Sequence, residues 1–142
     1  MSKADLAYAA GFFDGEGNIG ITIKHQEGYA QYFIFASVAS TDEWACRRFH
    51  FMFGGYVRKR PPRKNPSHKP CWDWRVSSRQ ASNFLREVFP YLHLKRDRAE
   101  LALKFQSAKH FTGRGRAKSD EEKTLEEAQF ILMQSMNKRG VI

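Results

Sequence analysis

Cysteine is scarce in this sequence, proline is confined almost to one stretch, and no apolar run is long. There are two cysteines, Cys46 and Cys71, in 142 residues. They could form at most one bridge, so a disulfide-dense secreted scaffold is excluded. No apolar run approaches the ~20 residues needed to cross a bilayer, and Met1-Ser2-Lys3-Ala4-Asp5 does not lead into a signal-peptide core. Reduced thiols and an intracellular location are expected. Four of the five prolines crowd into residues 61–70, which must therefore be an extended loop. Acidic residues are missing from Trp44 to Trp72, although Arg47, Arg48, Arg58, Lys59, Arg60, Arg63, Lys64 and Lys69 all fall there.

What is present begins with charge and aromatic mass. The chain has 24 Lys+Arg against 15 Asp+Glu, a formal +9, with 42% hydrophobic and 14% aromatic residues. A chain of this size and apolarity builds its own core as a single domain, and is no disordered basic tail. Further basic clusters stand at Lys95-Arg96-Asp97-Arg98 and from Lys109 to Lys118. Such clusters among strand-like residues fit a polyanion surface; the plain alternative is a solvated face. No strongly basic amphipathic helix points to a membrane surface.

Pattern then gives an order of elements. Ser2 or Asp5 caps a helix through Phe13, which Gly15 and Gly17 end. Isoleucines at every second position from Asn18 to Lys24 read as a half-buried strand, and a turn near Glu27-Gly28 returns into Gln31–Val38. Thr41 and Asp42 cap a helix to Phe53, stopped by Gly54-Gly55. Tyr56–Arg60 and Trp72–Ser77 form a second hairpin. Ser78 caps a helix of Gln80–Val88, Lys95–Ala108 is helical by spacing, and Ser119-Asp120-Glu121-Glu122 opens a short last helix to about Met136. The fold class is α+β, in the order αββαββα with an antiparallel sheet and extra C-terminal helices. The expected domain is single, spanning 1–142, with its core at about 4–108, a linker at 110–118 and the last helix at about 119–136.

Ala7, Ala10, Gly11 and Asp14 recur at i, i+3, i+4 and i+7, and three of them are tiny, so a second helix could approach backbone to backbone. Close packing within the chain is the alternative. Leu6, Ala9 and Phe13 suit the chain's own core. The stretch Ala9-Ala10-Gly11-Phe12-Phe13-Asp14-Gly15-Glu16-Gly17 resembles the motif that names the LAGLIDADG homing endonucleases, with Ala10, Gly11, Asp14 and Gly17 coinciding. Ser40-Thr41-Asp42, Phe53-Gly54-Gly55 and Leu92-His93-Leu94-Lys95-Arg96 extend the resemblance from Leu6 to about Gln106. It implies a curved antiparallel sheet and, because the chain has one motif, a homodimer joined through Ala7, Ala10, Gly11 and Asp14.

The resemblance also implies a site-specific double-strand DNA endonuclease acting on a long pseudo-palindromic site. Cleavage would be Mg²⁺-dependent phosphodiester hydrolysis leaving short 3′ overhangs. Mn²⁺ is expected to substitute and Ca²⁺ to support binding alone, with no small-molecule cofactor. Such genes commonly lie within introns or inteins. Glu16 is the implied metal ligand, helped by the Gly15 carbonyl; two such carboxylates beside a two-fold axis suit a hard divalent ion. Lys95 stands for the basic residue near the active centre, or alternatively contacts phosphate. Ser40 stands where the family often has Gln and can still orient water.

Alternation separates the reading surface from the core. Asn18, Gly20, Thr22 and Lys24 face outward from the first strand, and Gln31, Phe33, Phe35 and Ser37 from the second. Arg58 and Arg60 share a face, as do Asp73 and Arg75. This set has the donors and acceptors that a major groove requires. Phe33 and Phe35 would touch thymine methyls, unless the register is shifted by one. Arg63, Lys64 and Lys69 are expected on phosphates. The competing class is a non-cleaving nucleic-acid binder on the same scaffold, a maturase-like RNA splicing factor or a DNA-binding regulator.

Overall fold

The computed structural model describes residues 1–61, 69–109 and 118–138. Helix α1 (Lys3–Glu16) opens on a reciprocal cap, in which the Ser2 hydroxyl accepts from the Asp5 amide and the Asp5 carboxylate from the Ser2 amide. It ends at Gly17, where a Cβ would lie 2.3 Å from the Phe13 ring. Only glycine lets the chain turn so closely over that buried phenylalanine.

Strands β1 (Gly17–Gln26) and β2 (Tyr29–Ser40) pair antiparallel from Gly17↔Val38 to Gln26↔Tyr29. Helix α2 (Glu43–Phe53) is capped by the Asp42 carboxylate. Two positive-φ glycines, Gly54 and Gly55, then turn the chain into β3 (Tyr56–Lys59) and β4 (Trp72–Ser77). At Gly55 a Cβ would stand 2.4 Å from the Arg75 carbonyl oxygen. The sheet order is β1-β2-β4-β3, antiparallel throughout. Helix α3 (Ser78–Val88) runs into a 3-10 turn at Phe89–Tyr91, and α4 (Arg96–Ser107) and α5 (Asp120–Asn137) follow. The α+β order αββαββα is therefore as expected, with two helices added. Residues 62–68 and most of the expected linker lie outside the described residues.

The core lies between the helices and one face of the sheet. Trp74 is its hub: Phe49 and Phe84 approach it with ring centroids at 4.9 and 5.0 Å, and Phe53 and Phe13 meet Phe84 at 4.6 and 5.0 Å. The indole N–H of Trp74 donates to the Gly54 carbonyl at 2.8 Å, so the aromatic mass is buried without orphaning a donor. Ile19, Ile34, Ala36, Val38 and Val76 close the sheet side. Cys46 is fully buried there, and its thiol donates to the Val38 and Trp72 carbonyls.

Helix α5 lies within a residue of the bounds expected for the last helix, and its 18 residues make it the longest among the described ones rather than a short one. Met133 enters the core and Phe130 meets Tyr32, centroids 5.2 Å apart. Its last residue, Asn137, donates to the Ile19 carbonyl at 2.8 Å and accepts from Arg98 at 3.0 Å. Because β1 is an edge strand, that amide occupies a ladder group that would otherwise stay open. Among the described residues no helix is long and apolar enough to cross a membrane.

Candidate functional site

The last turn of α1 and the segment before α4 meet although some 80 residues separate them. The Asp14 carboxylate accepts from the His93 amide at 2.7 Å and the Lys95 amide at 3.0 Å. The Lys95 ammonium, 7% exposed, returns to donate to the Asp14 carbonyl. That carbonyl belongs to the last helical turn, where the i→i+4 ladder has run out. Burial lowers the pKa of Lys95 first, and Arg98 adds to this; the carboxylates of Asp14 and Glu16 pull the other way. Glu16 is thus close enough for its field to reach Lys95, while remaining exposed to solvent.

The electrostatics of this helix end run against the usual pattern. A helix C-terminus carries partial negative charge and favours cations. Here it carries Asp14 and Glu16, and no basic residue lies in the last turn. Asp14 is neutralised by the amides and ammonium just described; Glu16 has no ion-pair partner among the described residues. Ser40, at the end of β2 and of the sheet where Gly17 pairs with Val38, accepts the Asp42 amide at 3.0 Å. Sequence reasoning placed Glu16, Lys95 and Ser40 at one site. The Glu16 carboxylate acts on Lys95 through its charge, and Ser40 ends β2 two residues beyond the Gly17–Val38 pair that opens β1.

The expected subunit seam needs correcting. Ala10 is fully buried in the chain's own core, and Asp14 is committed to His93 and Lys95. Each helical residue turns by about 100°, so Ala10 falls on the core side with Phe13, whereas Gly11 falls with Ala7. The exposed stripe is Ala4, Ala7, Tyr8, Gly11 and Gly15. An added Cβ at Gly11 or Gly15 would meet nothing within 4 Å. Glycine inside a helix costs about 1 kcal/mol relative to alanine, and nothing among the described residues requires it at either position. Beside Tyr8 of this stripe, Trp44 is 57% exposed, and further along α2 Phe51 is 88% exposed. The Arg48 guanidinium stands 5.6 Å from the Trp44 ring centroid.

The outward face of the sheet forms a grid. Asn18, Ser37, Arg75 and Tyr56 lie in one row across all four strands, and Gly20, Phe35 and Ser77 in the next. Thr22 pairs with Phe33 and Lys24 with Gln31. The register of Phe33 and Phe35 is as expected, but their surroundings answer the question of their exposure. The far side of the Phe35 ring reaches across to Gly20, where a Cβ would be 2.6 Å from it. The Arg75 guanidinium stacks above it at 4.0 Å from the centroid. Asp73 is also on this face but only 8% exposed, held by Arg60 at 2.6 Å and Arg58 at 3.5 Å. Of the three expected reading arginines, Arg75 is the one with no carboxylate partner among the described residues. Lys69 is exposed; Arg63 and Lys64 lie outside the described residues. Sequence reasoning missed Phe35 as a platform and Tyr56, 51% exposed, as a neighbour of Arg75.

As to a metal, no cluster of three acidic, histidine or cysteine side chains occurs among the described residues. One chain offers the Glu16 carboxylate and the Gly15 carbonyl, all oxygen, at a helix end already negative. That donor set fits a hard divalent cation if further oxygens come from outside the chain.

No family model matches this sequence, and no curated protein does. Among solved structures, the homing endonuclease I-CvuI in complex with the I-CreI target superposes with a TM-score of 0.77 at 22% identity. The match covers 99% of this chain and 87% of that one. The archaeal intron-encoded homing endonuclease I-Vdi141I, complexed with DNA, gives 0.75 at 13% identity over 96% of this chain and 86% of that one. The LAGLIDADG homing endonuclease I-GzeII, in complex with a DNA target, gives 0.65 at 16% identity over 96% of this chain and 46% of that one.

Proposed function

We propose that this chain, which has the fold of the LAGLIDADG homing endonucleases, is a divalent-metal-dependent DNA endonuclease that works as a homodimer. The observation that carries the reading is the exposed glycine stripe of α1 ending on an exposed carboxylate. Gly11 and Gly15 face open space that no described residue fills, and Glu16 lies at the end of the same helix. A second copy packed on that stripe would set two Glu16 carboxylates beside a two-fold axis.

On this reading Glu16 and the Gly15 carbonyl would hold the metal. When bound, the ion supplies Lewis-acid activation of phosphate and water. Lys95 keeps a buried ammonium near the developing negative charge, and Asp14 fixes its position from both ends. Ser40, its hydroxyl oriented by the Asp42 amide, positions water. The outward sheet face lies in the major groove, where Arg75, Asn18, Thr22, Lys24, Gln31 and Ser37 meet base edges. Arg58, Arg60 and Asp73 form one paired unit on the same face, and Arg63, Lys64 and Lys69 bear on phosphate. Hydrolysis of both strands leaves short 3′ overhangs. Mg²⁺ serves, Mn²⁺ substitutes and Ca²⁺ supports binding alone. The solved neighbours described with DNA support the choice of polyanion, as does the net charge of +9.

The test is Glu16→Gln. It keeps size and hydrogen bonding and removes the charge that holds the metal, so cutting of a target plasmid in Mg²⁺ should fall by several orders of magnitude. Binding in Ca²⁺ should persist. Wild-type cutting by the variant would refute the assignment of Glu16. A wild type that binds nucleic acid but cuts duplex with neither Mg²⁺ nor Mn²⁺ would establish the non-cleaving binder instead.

A further inference from the structure

Between α3 and α4, on the helical side of the molecule, runs an open groove of about 860 Å³. The positions of α3 that line it, Arg79, Ser82, Arg86 and, just beyond, Phe89, follow one helical stripe. They are mostly distinct from Ala81, Phe84, Leu85 and Val88, which the helix buries in the core. From the other wall come Arg96, Glu100, Lys104 and, beyond the helix end, Lys109. The described lining carries five cations and one acid, but Glu100 pairs with Lys104 at 3.4 Å, and the Lys109 ammonium donates to the Tyr32 carbonyl and faces Glu126 at 3.9 Å.

Arg86 and Arg96 give the groove its character. Arg86 donates to the Ser82 hydroxyl and the Asn83 side-chain carbonyl, both at 3.2 Å. Arg96 stacks on the Phe89 ring at 4.4 Å and donates to the Phe89 carbonyl at 3.5 Å. Among the described residues neither meets a carboxylate. Two guanidinium groups are thus held in place by neutral partners, one on each wall, with their charge unspent. Arginine so oriented is suited to phosphate oxygens.

Length selects the ligand within that chemistry. Arg79 to Arg86 spans about 10 Å of helix, and Arg96 to Lys104 about 12 Å. A single phosphate ion would use one end of such a stripe. A nucleic-acid strand, with a charge about every 3.4 Å of axis, would use all of it.

We infer that the α3–α4 groove is a second nucleic-acid site, which takes the phosphodiester backbone of a strand other than the duplex on the sheet. It goes beyond the endonuclease reading and stands on different residues. The groove walls α3 and α4 lie across the core from the sheet's outward face, and only the Lys109 end comes round to it, 5.6 Å from the Phe33 ring centroid, so a straight duplex on the sheet leaves Arg86 and Arg96 open.

The test is a ternary-complex measurement by fluorescence anisotropy, using labelled oligouridine and, in a parallel arm, oligothymidine. Protein saturated with duplex DNA should still bind the labelled single strand. Arg86→Ala with Arg96→Ala should weaken that binding on the order of tenfold and lower the log–log salt slope by roughly 1.4, two contacts at ~0.7 each. Duplex affinity should stay unchanged. Glu100→Gln, which frees Lys104, should tighten single-strand binding. The two probes show whether the groove favours ribose or deoxyribose, and binding of either through these arginines supports the site. Competition between single strand and duplex, or undiminished binding by the double variant, would overturn it. Duplex binding without the ternary complex would sink this inference alone. A ternary complex with no cutting would sink only the nuclease reading.

Discussion

Arg75 reaches the outward face of the sheet with its guanidinium already stacked on Phe35. Alternation along β4 placed it outward, and nothing more was needed for that. Its aim is set by Phe35 and Gly20, two strands of contact that alternation cannot show. The stack on Phe35 removes rotamer freedom before any ligand arrives, so less is lost on binding. Gly20→Val would drive the Phe35 ring off the sheet and release the guanidinium. Base discrimination at one symmetry-related pair of positions should then fall by about 1–3 kcal/mol, as it should in Arg75→Ala. Binding to random duplex should change little, and selection from a randomised site library reads the difference. Phe35→Tyr should restore discrimination in a way that Phe35→Ala does not. Asp73 shows the opposite case. Its outward register was legible, but its capture by Arg58 and Arg60 depends on pairing with β3 across a loop. Ala10 was misplaced for a simpler reason: i+3 and i+4 lie on either side of a helical stripe, and burial chose between them.

At the level of elements, caps and breakers carried most of the information. Ser2 with Asp5, Asp42, Gly54-Gly55 and Ser119 each bound a helix where the sequence put it. The docking of α5 could not be read, because Met133, Phe130 and Asn137 all meet partners far back in the chain, the Asn137 amide reaching an edge strand 118 residues away. Asn137→Ala should cost about 1 kcal/mol in urea denaturation, the ordinary worth of a protein hydrogen bond. It should also raise self-association at high concentration by opening the edge of β1. Unchanged stability would mean that water replaces the amide at no cost. The junction at Gly55 is stricter: its φ is +85° and backbone stands where a Cβ would go. Gly55→Val should leave little folded protein.

For the whole molecule, the seam and the core make separate predictions. Gly11→Leu fills open space within one chain, so the folded protomer should keep its circular dichroism. If the stripe joins two copies, light scattering should show dimer becoming monomer. A wild-type monomer that cuts duplex would refute the seam. In the core, burial foremost and the Asp73 carboxylate next push the Cys46 thiol up to about 11, from an ordinary 9.0. The folded pKa lies above the unfolded one, so this group's contribution is complete below about pH 9. It drains away as the pH climbs towards 11. Cys46→Ala should flatten the fall in Tm over that window, and native protein should offer only Cys71 to a thiol reagent.

Asp14 reaches His93 and Lys95 across almost the whole of the core's sequence, and that span has a bearing on when the protein can act. A chain emerging from the ribosome completes α1 first, but the amides and ammonium that hold its acidic end arrive only with the approach to α4. Until then Glu16 stands on an unanchored helix with no lysine beside it. If the centre is a nuclease, it is assembled last, and a nascent or truncated chain is harmless to the nucleic acid around it.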